Sequence, residues 1–280
     1  MSRRPQNNTL LTVGKYAAVA GYVGFALFPL YWLLKIALTP DQLIYSEGTA
    51  FFPSSVTLEN FKTVILASDF LSYFGNSVIV SLSTAAVTAL IAAAAGYAFS
   101  RFHFRGKRWI IALMLLTQMF PLLMIIAPIY KIVASLGMLN SLTSLIVVYV
   151  AFNIPFATFL MQSFFDGIPK DLEEAAMIDG CTRFTALRKV VLPLTLPGLA
   201  ATLGFVFTAA WSELLFALML ISSNDSMTFP VGLLTFVSKF SVDWGQMMAA
   251  GVLALVPSCL FFLFIQRYLV QGLTSGAVKG

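Results

Sequence analysis

The chain has 280 residues, 59% of them hydrophobic and only 10% charged, with a mean hydropathy of +0.88. A water-soluble domain carries about 25% charged residues, so this composition excludes an ordinary soluble protein and places the chain in a bilayer. The net charge of +5 needs no nucleic acid to explain it, the lone His103 cannot build a histidine-supported metal site or triad, and the distant Cys181 and Cys259 lack metal-ligand spacing.

Six apolar runs approach or exceed the roughly 20 residues that cross a hydrocarbon core: 14–38, 70–100, 109–132, 138–165, 196–221 and 245–269. They predict an all-α integral membrane protein with a single transmembrane domain over 1–280. The first run is too long for a signal peptide and has no small-x-small cleavage end, so it is expected to remain as a helix. Between the first two runs, Leu58 to Ser68 has apolar residues at helical spacing, which predicts a short amphipathic helix. The runs contain Pro29, Pro121, Pro128, Pro155 and Pro257. Asn153-Ile154-Pro155 is the most suggestive helix break, since breaks at membrane depth are tolerated where they line a cavity; the alternative is a simple kink.

Polar groups inside the runs should face the bundle interior or a cavity. Asn76, Gln118, Asn153, Trp211 and Glu213 are therefore the candidates for a translocation path, with Tyr149 and Phe152 as further aromatic faces. Ordinary helix packing is the competing reading for each aromatic. Glu213 is the only acid placed well inside a span, and a structural pair or hydrogen bond that orients the fifth helix is the equal alternative to a substrate role.

The basic residues set an orientation. Arg3, Arg4 and Lys15, then Arg101, Arg105, Lys107 and Arg108, then Lys170, Arg183, Arg188 and Lys189, then Arg267 and Lys279 all fall on one side; Lys35, Lys62, Lys131 and Lys239 fall on the other. Basic loops mark the cytoplasmic side. Both termini and the loop 166–195 are thus expected inside, in a multi-pass membrane protein. The stretch Arg101 to Arg108 could also meet anionic lipid headgroups.

The loop 166–195 is long for a membrane protein, which points to something docking there. Asp171, Glu173 and Glu174 suit the first turn of a helix starting near Pro169. Leu172, Ala175, Ala176 and Ile178 give that helix a small, partly apolar face. Gly180 is placed to end it in the left-handed conformation, and an amphipathic stretch from Phe184 to Leu192 follows. The loop reads as helix, tight turn, helix. An amphipathic connector lying on the lipid surface fits the same pattern.

The spacing Glu174-Ala175-Ala176, Gly180, Val190 and Leu192-Pro193 resembles the EAA loop of ABC importer permeases. The wider wording, with Gly96 to Arg108, Pro121 to Tyr130, Gly137 to Ser141 and Trp211-Ser212-Glu213, is similar to the carbohydrate-importer branch, the family of the maltose transporter's smaller permease. The resemblance implies the six-helix type I permease fold. It implies a coupling helix seated on a separate ATPase through Glu174, Ala175, Ala176, Asp179, Gly180, Leu192 and Pro193, with Glu174 meeting a basic residue. It further implies a place in the bacterial inner membrane, a second homologous permease, two copies of the ATPase carrying ATP and Mg, and a periplasmic or lipid-anchored substrate-binding protein. This chain has no Gly-x-x-x-x-Gly-Lys-[Ser/Thr] sequence; it is expected to bind no cofactor and to be no enzyme. An ion-coupled secondary transporter is the rival class, but it would show paired broken helices and internal repeats.

Overall fold

A computed structural model describes residues 9–277 except 48, 239 and 240. Arg3, Arg4, Lys239 and Lys279, which contributed to the charge argument, lie outside the described residues. The described chain is helical, with a single isolated bridge between Val237 and Val242. Among the described residues, four unbroken helices are long and apolar enough to span a membrane, and two further pairs would do so if each bent pair counts as one span.

Two compact units are present. The first comprises residues up to Ser68 together with Thr235–Leu253. It contains α1 (Thr9–Ala37), the one-turn α2 (Asp41–Ile44), α3 (Glu59–Leu66) and the beginning of α14 (Trp244–Ala277). The expected amphipathic stub is α3. Asn60 on it donates to the carbonyls of Ala37 and Thr39 at 3.1 and 3.0 Å and so fixes α3 against the end of α1. Phe28, Trp32 and Phe51 pack together there, with Tyr31 against Phe52 and the Lys35 ammonium 5.2 Å from the Trp32 ring. Such an aromatic group suits a membrane–water boundary. Asp41 lies beside Asp243, and burial first and that neighbouring carboxylate second raise its pKa.

The second unit comprises Asp69–Leu234 with the remainder of α14. Its centre is the pair α4 (Phe70–Arg101) and α7 (Leu142–Asp166). The buried face of α4 includes Ser77, Ser81, Thr84, Ala85, Thr88, Ala89, Ala92 and Gly96, small residues at helical spacing. In a bilayer, where lipid is as apolar as leucine, helices associate through close backbone approach along such a seam. Gly96 marks the tightest point: a Cβ there would lie 2.8 Å from the Gln162 amide nitrogen. Gly198, on α11 (Leu196–Trp211), admits the Phe164 ring in the same way.

Three sequence expectations are corrected. The run 109–132 is not one straight helix. It forms α5 (Lys107–Gln118) and α6 (Leu122–Ser135), bent by 103°. Pro121 has extended backbone (ψ 129°) between them and cannot donate the bond that would continue α5. Asn153-Ile154-Pro155 is not a break, because α7 runs through Pro155. The run 196–221 is interrupted between Trp211 and Leu215, where α11 gives way to α12 (Leu215–Leu220).

Candidate functional site

Residues 166–195 form the helix–turn–helix that the sequence predicts. After Gly167, Pro169 stands before α8 (Lys170–Ile178) in extended backbone, and Asp171 and Glu173 occupy the first turn, where the helix dipole favours acids. Gly180 has φ +91°. Its amide donates to the Met177 carbonyl (3.1 Å) and the Cys181 amide to that of Ala176 (3.0 Å). This paired closure is the Schellman motif, which satisfies the helix's last carbonyls and needs a left-handed residue at this position. Thr182 then accepts from the Thr185 amide and opens α9 (Arg183–Ala186). A π-helical turn, Leu187–Val191, and α10 (Leu192–Leu194), whose first residues are Leu192-Pro193, lead to a 70° bend into α11.

The helix α8 has two faces, divided differently from the sequence expectation. Leu172, Glu174, Ala175, Ile178 and Asp179 point outward, while Glu173 and Ala176 are buried. Ala176 therefore does not share the exposed apolar face assigned to it. Ile178 is 87% exposed, and Phe184 across the turn is 72% exposed. Large apolar side chains left this open beside an exposed carboxylate form a contact surface rather than a packed core.

Glu173 is the residue that sequence reasoning passed over. Its side chain is 7% exposed and pairs at 3.1 Å with Arg101 Nε, while Tyr97 Oη donates to its other oxygen. Arg101 also donates through Nη2 to the Ile168 carbonyl at 3.0 Å. A second link crosses the same boundary, with Arg183 5.1 Å from the Phe102 ring. Tyr97 and Arg101 are four apart on α4 and so lie on one helix face; that spacing was the available signal.

Gln118, Asn153 and Glu213 each bond within Tyr149–Phe152 of α7, while Asn76 and Trp211 make separate contacts. Asn76 donates to the carbonyls of Asp225 and Met227, both at 2.9 Å. Trp211 is buried among Phe74, Phe207 and Phe229. Glu213 sits in the gap before α12, where its carboxylate accepts from the amides of Phe216 and Ala217 and, at 2.6 Å, from Tyr149 Oη. Asn153 returns its amide to the Tyr149 carbonyl one turn back. Gln118 opens onto a cavity. This space of about 510 Å³ is lined by apolar side chains of α5, α6 and α7, among them Phe120, Ile129 and Phe152. Asn140 is a further anchor that the sequence did not single out. At φ +57° its side-chain oxygen accepts from the amides of Ser222 and Ser223, tying the turn before α7 to the segment after α12.

An all-helical apolar bundle that presents a short, glycine-hinged helix with an exposed apolar and acidic face is built like the membrane half of a transport machine. The comparisons with known proteins agree. Residues 85–275 match the family described as binding-protein-dependent transport system inner membrane component. The diacetylchitobiose uptake system permease protein DasC of Streptomyces coelicolor is 41% identical over 94% of this chain and 95% of its own length. The trehalose transport system permease protein SugB of Mycobacterium tuberculosis is 37% identical over 92% and 94%. Among solved structures, a bacterial ABC transporter involved in the import of the polysaccharide alginate aligns with a TM-score of 0.78 at 20% identity, covering 96% of this chain and 99% of that one. The chain belongs to the binding-protein-dependent transport system inner membrane component family and is a permease subunit of an ABC-type transport system.

Proposed function

We propose that this permease carries a sugar or sugar derivative of about disaccharide size into a bacterial cell, and that α8 is the surface on which an ATPase subunit seats. The observation that carries the second half is the outward face of α8, with Leu172, Ala175 and Ile178 around Glu174, beside a left-handed Gly180. The sugar assignment draws on relatives whose names specify diacetylchitobiose, trehalose and sulfoquinovosyl glycerol. In this reading a second, homologous permease completes the pathway, two ATPase copies bind and hydrolyse ATP with Mg, and a binding protein delivers substrate from outside. ATP-driven closure of the ATPases draws the coupling helices together and turns the cavity outward; their reopening returns it inward and releases the sugar.

Glu174→Lys tests the docking surface. It reverses a charge at a contact that becomes desolvated when a partner covers it, where losing a paired charge costs about 2–5 kcal/mol. Because Glu174 is exposed here, the chain should insert and fold. In proteoliposomes containing the complete complex, sugar-stimulated ATP hydrolysis should collapse; undiminished stimulation refutes docking through this face. Screening trehalose, diacetylchitobiose and sulfoquinovosyl glycerol against the isolated binding protein by calorimetry identifies the sugar.

The orientation follows from the basic loops, with α8 and both termini in the cytoplasm. A membrane-impermeant thiol reagent applied to intact cells should label a cysteine placed at Thr49, while Cys181, partly exposed beside the Gly180 turn, stays unlabelled until the cells are opened. Labelling in the reverse pattern inverts the topology.

A further inference from the structure

Helix α8 has nine residues and is joined to its neighbours by Gly167-Ile168-Pro169 on one side and Gly180 on the other. Left to those two joints, a push on its exposed face would swivel the helix instead of moving the bundle. What opposes the swivel is a charge cluster. Both oxygens of the Glu173 carboxylate are engaged from α4, one by Tyr97 Oη and the other by Arg101 Nε at 3.1 Å. The Arg101 guanidinium also holds the Ile168 carbonyl at 3.0 Å and the Ser100 hydroxyl at 3.2 Å. One side chain therefore grips both the body of α8 and the strand of chain that leads into it. Glu173 and Arg101 are 7% and 6% exposed at their side chains.

Burying such a pair is weak evidence for stability, because desolvating two charges offsets much of their attraction; what a buried pair fixes best is geometry. Charge-assisted bonds at a planar guanidinium are directional, so the relative angle of the two helices is held as well as their separation. The α4 side of the cluster is itself stiff. Tyr97 packs edge-on to Phe165 at 5.6 Å, and Gly96 seats α4 against α7 next to it.

We infer that Tyr97, Glu173 and Arg101 form a brace that makes α8 and the adjoining end of α4 move as one rigid body, so that displacement of the loop becomes tilting of the central helix pair. The inference rests on α8 being the docked helix, but it concerns positioning residues on the inward face, distinct from the outward face that Glu174 occupies.

The test measures motion inside this chain and needs no transported sugar. Spin labels go at Asp171→Cys, in the first turn of α8, and at Leu82→Cys on α4, in a Cys181→Ser, Cys259→Ser background. Leu82 lies roughly 28 Å of helix rise from Arg101, a span suited to dipolar distance measurement. The complex with its ATPase and second permease is compared nucleotide-free and trapped with ATP and vanadate. With the brace intact, the distance should be the same in both states. With Glu173→Gln, the ATPase should still bind, and the distance should now differ between the two states. A nucleotide-dependent shift in the unmutated brace overturns the inference. So does a Glu173→Gln distance that matches the unmutated one in both states, or that broadens alike in both, since the pair would then only help fold the loop. Should Glu173→Gln fail to assemble, Tyr97→Phe, which keeps the ion pair, is read by the same criteria. Loss of ATPase binding in Glu174→Lys is a separate result, so failure of the docking surface and failure of the brace are told apart.

Discussion

Gly180→Val should abolish sugar-driven ATP hydrolysis and transport while leaving the chain in the membrane. The reason is conformational and not steric. A Cβ at Gly180 would meet nothing within 4 Å, yet the residue holds φ +91°. For a residue with a side chain, that region costs roughly 1–3 kcal/mol of backbone strain, with a β-branched side chain at the worst end. The strain is relieved most cheaply by letting the turn open. The bonds from Gly180 and Cys181 back to Met177 and Ala176 are then lost, and α8 is no longer set at its angle to α9. Ile178 and Phe184, which flank the turn and are both exposed, then cease to form one surface. Gly180→Asn should be far milder, because asparagine tolerates the left-handed region. Since the site is open within this chain and the two side chains are of similar size, the difference between the variants reports chiefly their φ preference. Reconstituted complexes of both, assayed for ATP hydrolysis with and without sugar-loaded binding protein, supply the comparison; equal activity of the two removes the turn from the mechanism.

That turn was legible because its cause is local. A glycine after a short amphipathic segment with acids at its start and small residues within it specifies a helix end by itself. The long spans were legible for a similar reason, because a bilayer demands apolar length, and helices appear at Thr9–Ala37, Phe70–Arg101 and Leu142–Asp166 close to the expected limits. What escaped depends on partners remote in sequence. Glu173 and Glu174 look alike in the chain, and only Tyr97 and Arg101, more than seventy positions away, decide that Glu173 turns inward. Proline gave an ambiguous signal. Pro155 lies inside a helix that continues through it and packs on α4, whereas Pro121 stands in extended backbone between α5 and α6, which are bent by 103°. The path candidates were chosen by polarity, but a polar side chain in a span can as well satisfy backbone groups exposed by a helix interruption. Asn76 and Glu213 do so.

Glu213 gives the second large effect, and its geometry separates two roles that the sequence left open. Glu213→Leu should prevent stable assembly. No glycine or proline ends α11 at Trp211; the interruption is held by the Glu213 carboxylate, which receives the Phe216 and Ala217 amides and the Tyr149 hydroxyl. Leucine leaves those three donors without their acceptor. An unsatisfied buried donor costs about 1–3 kcal/mol, so the summed loss rivals the whole margin of a marginally stable domain. The damage falls on the core, because Tyr149, Phe216 and Ala217 pack in one cluster with Val80, Leu145 and Leu220. Glu213→Gln keeps one acceptor oxygen and the shape of the side chain, and Tyr149 can turn its hydroxyl to accept from the new amide. That variant should assemble to near the original level, with transport per assembled complex close to unchanged. Tyr149→Phe, which removes one of the three donors along with its bond, should fall between the two in assembly. The measurements are the yield of detergent-extracted complex and the transport rate normalised to it. If Glu213→Gln instead assembles fully and fails to transport, the negative charge itself acts on substrate or gate. If Glu213→Leu assembles and transports normally, the carboxylate is not what holds the start of α12, and the interruption after Trp211 must be fixed by packing of the Trp211, Phe207 and Phe229 rings.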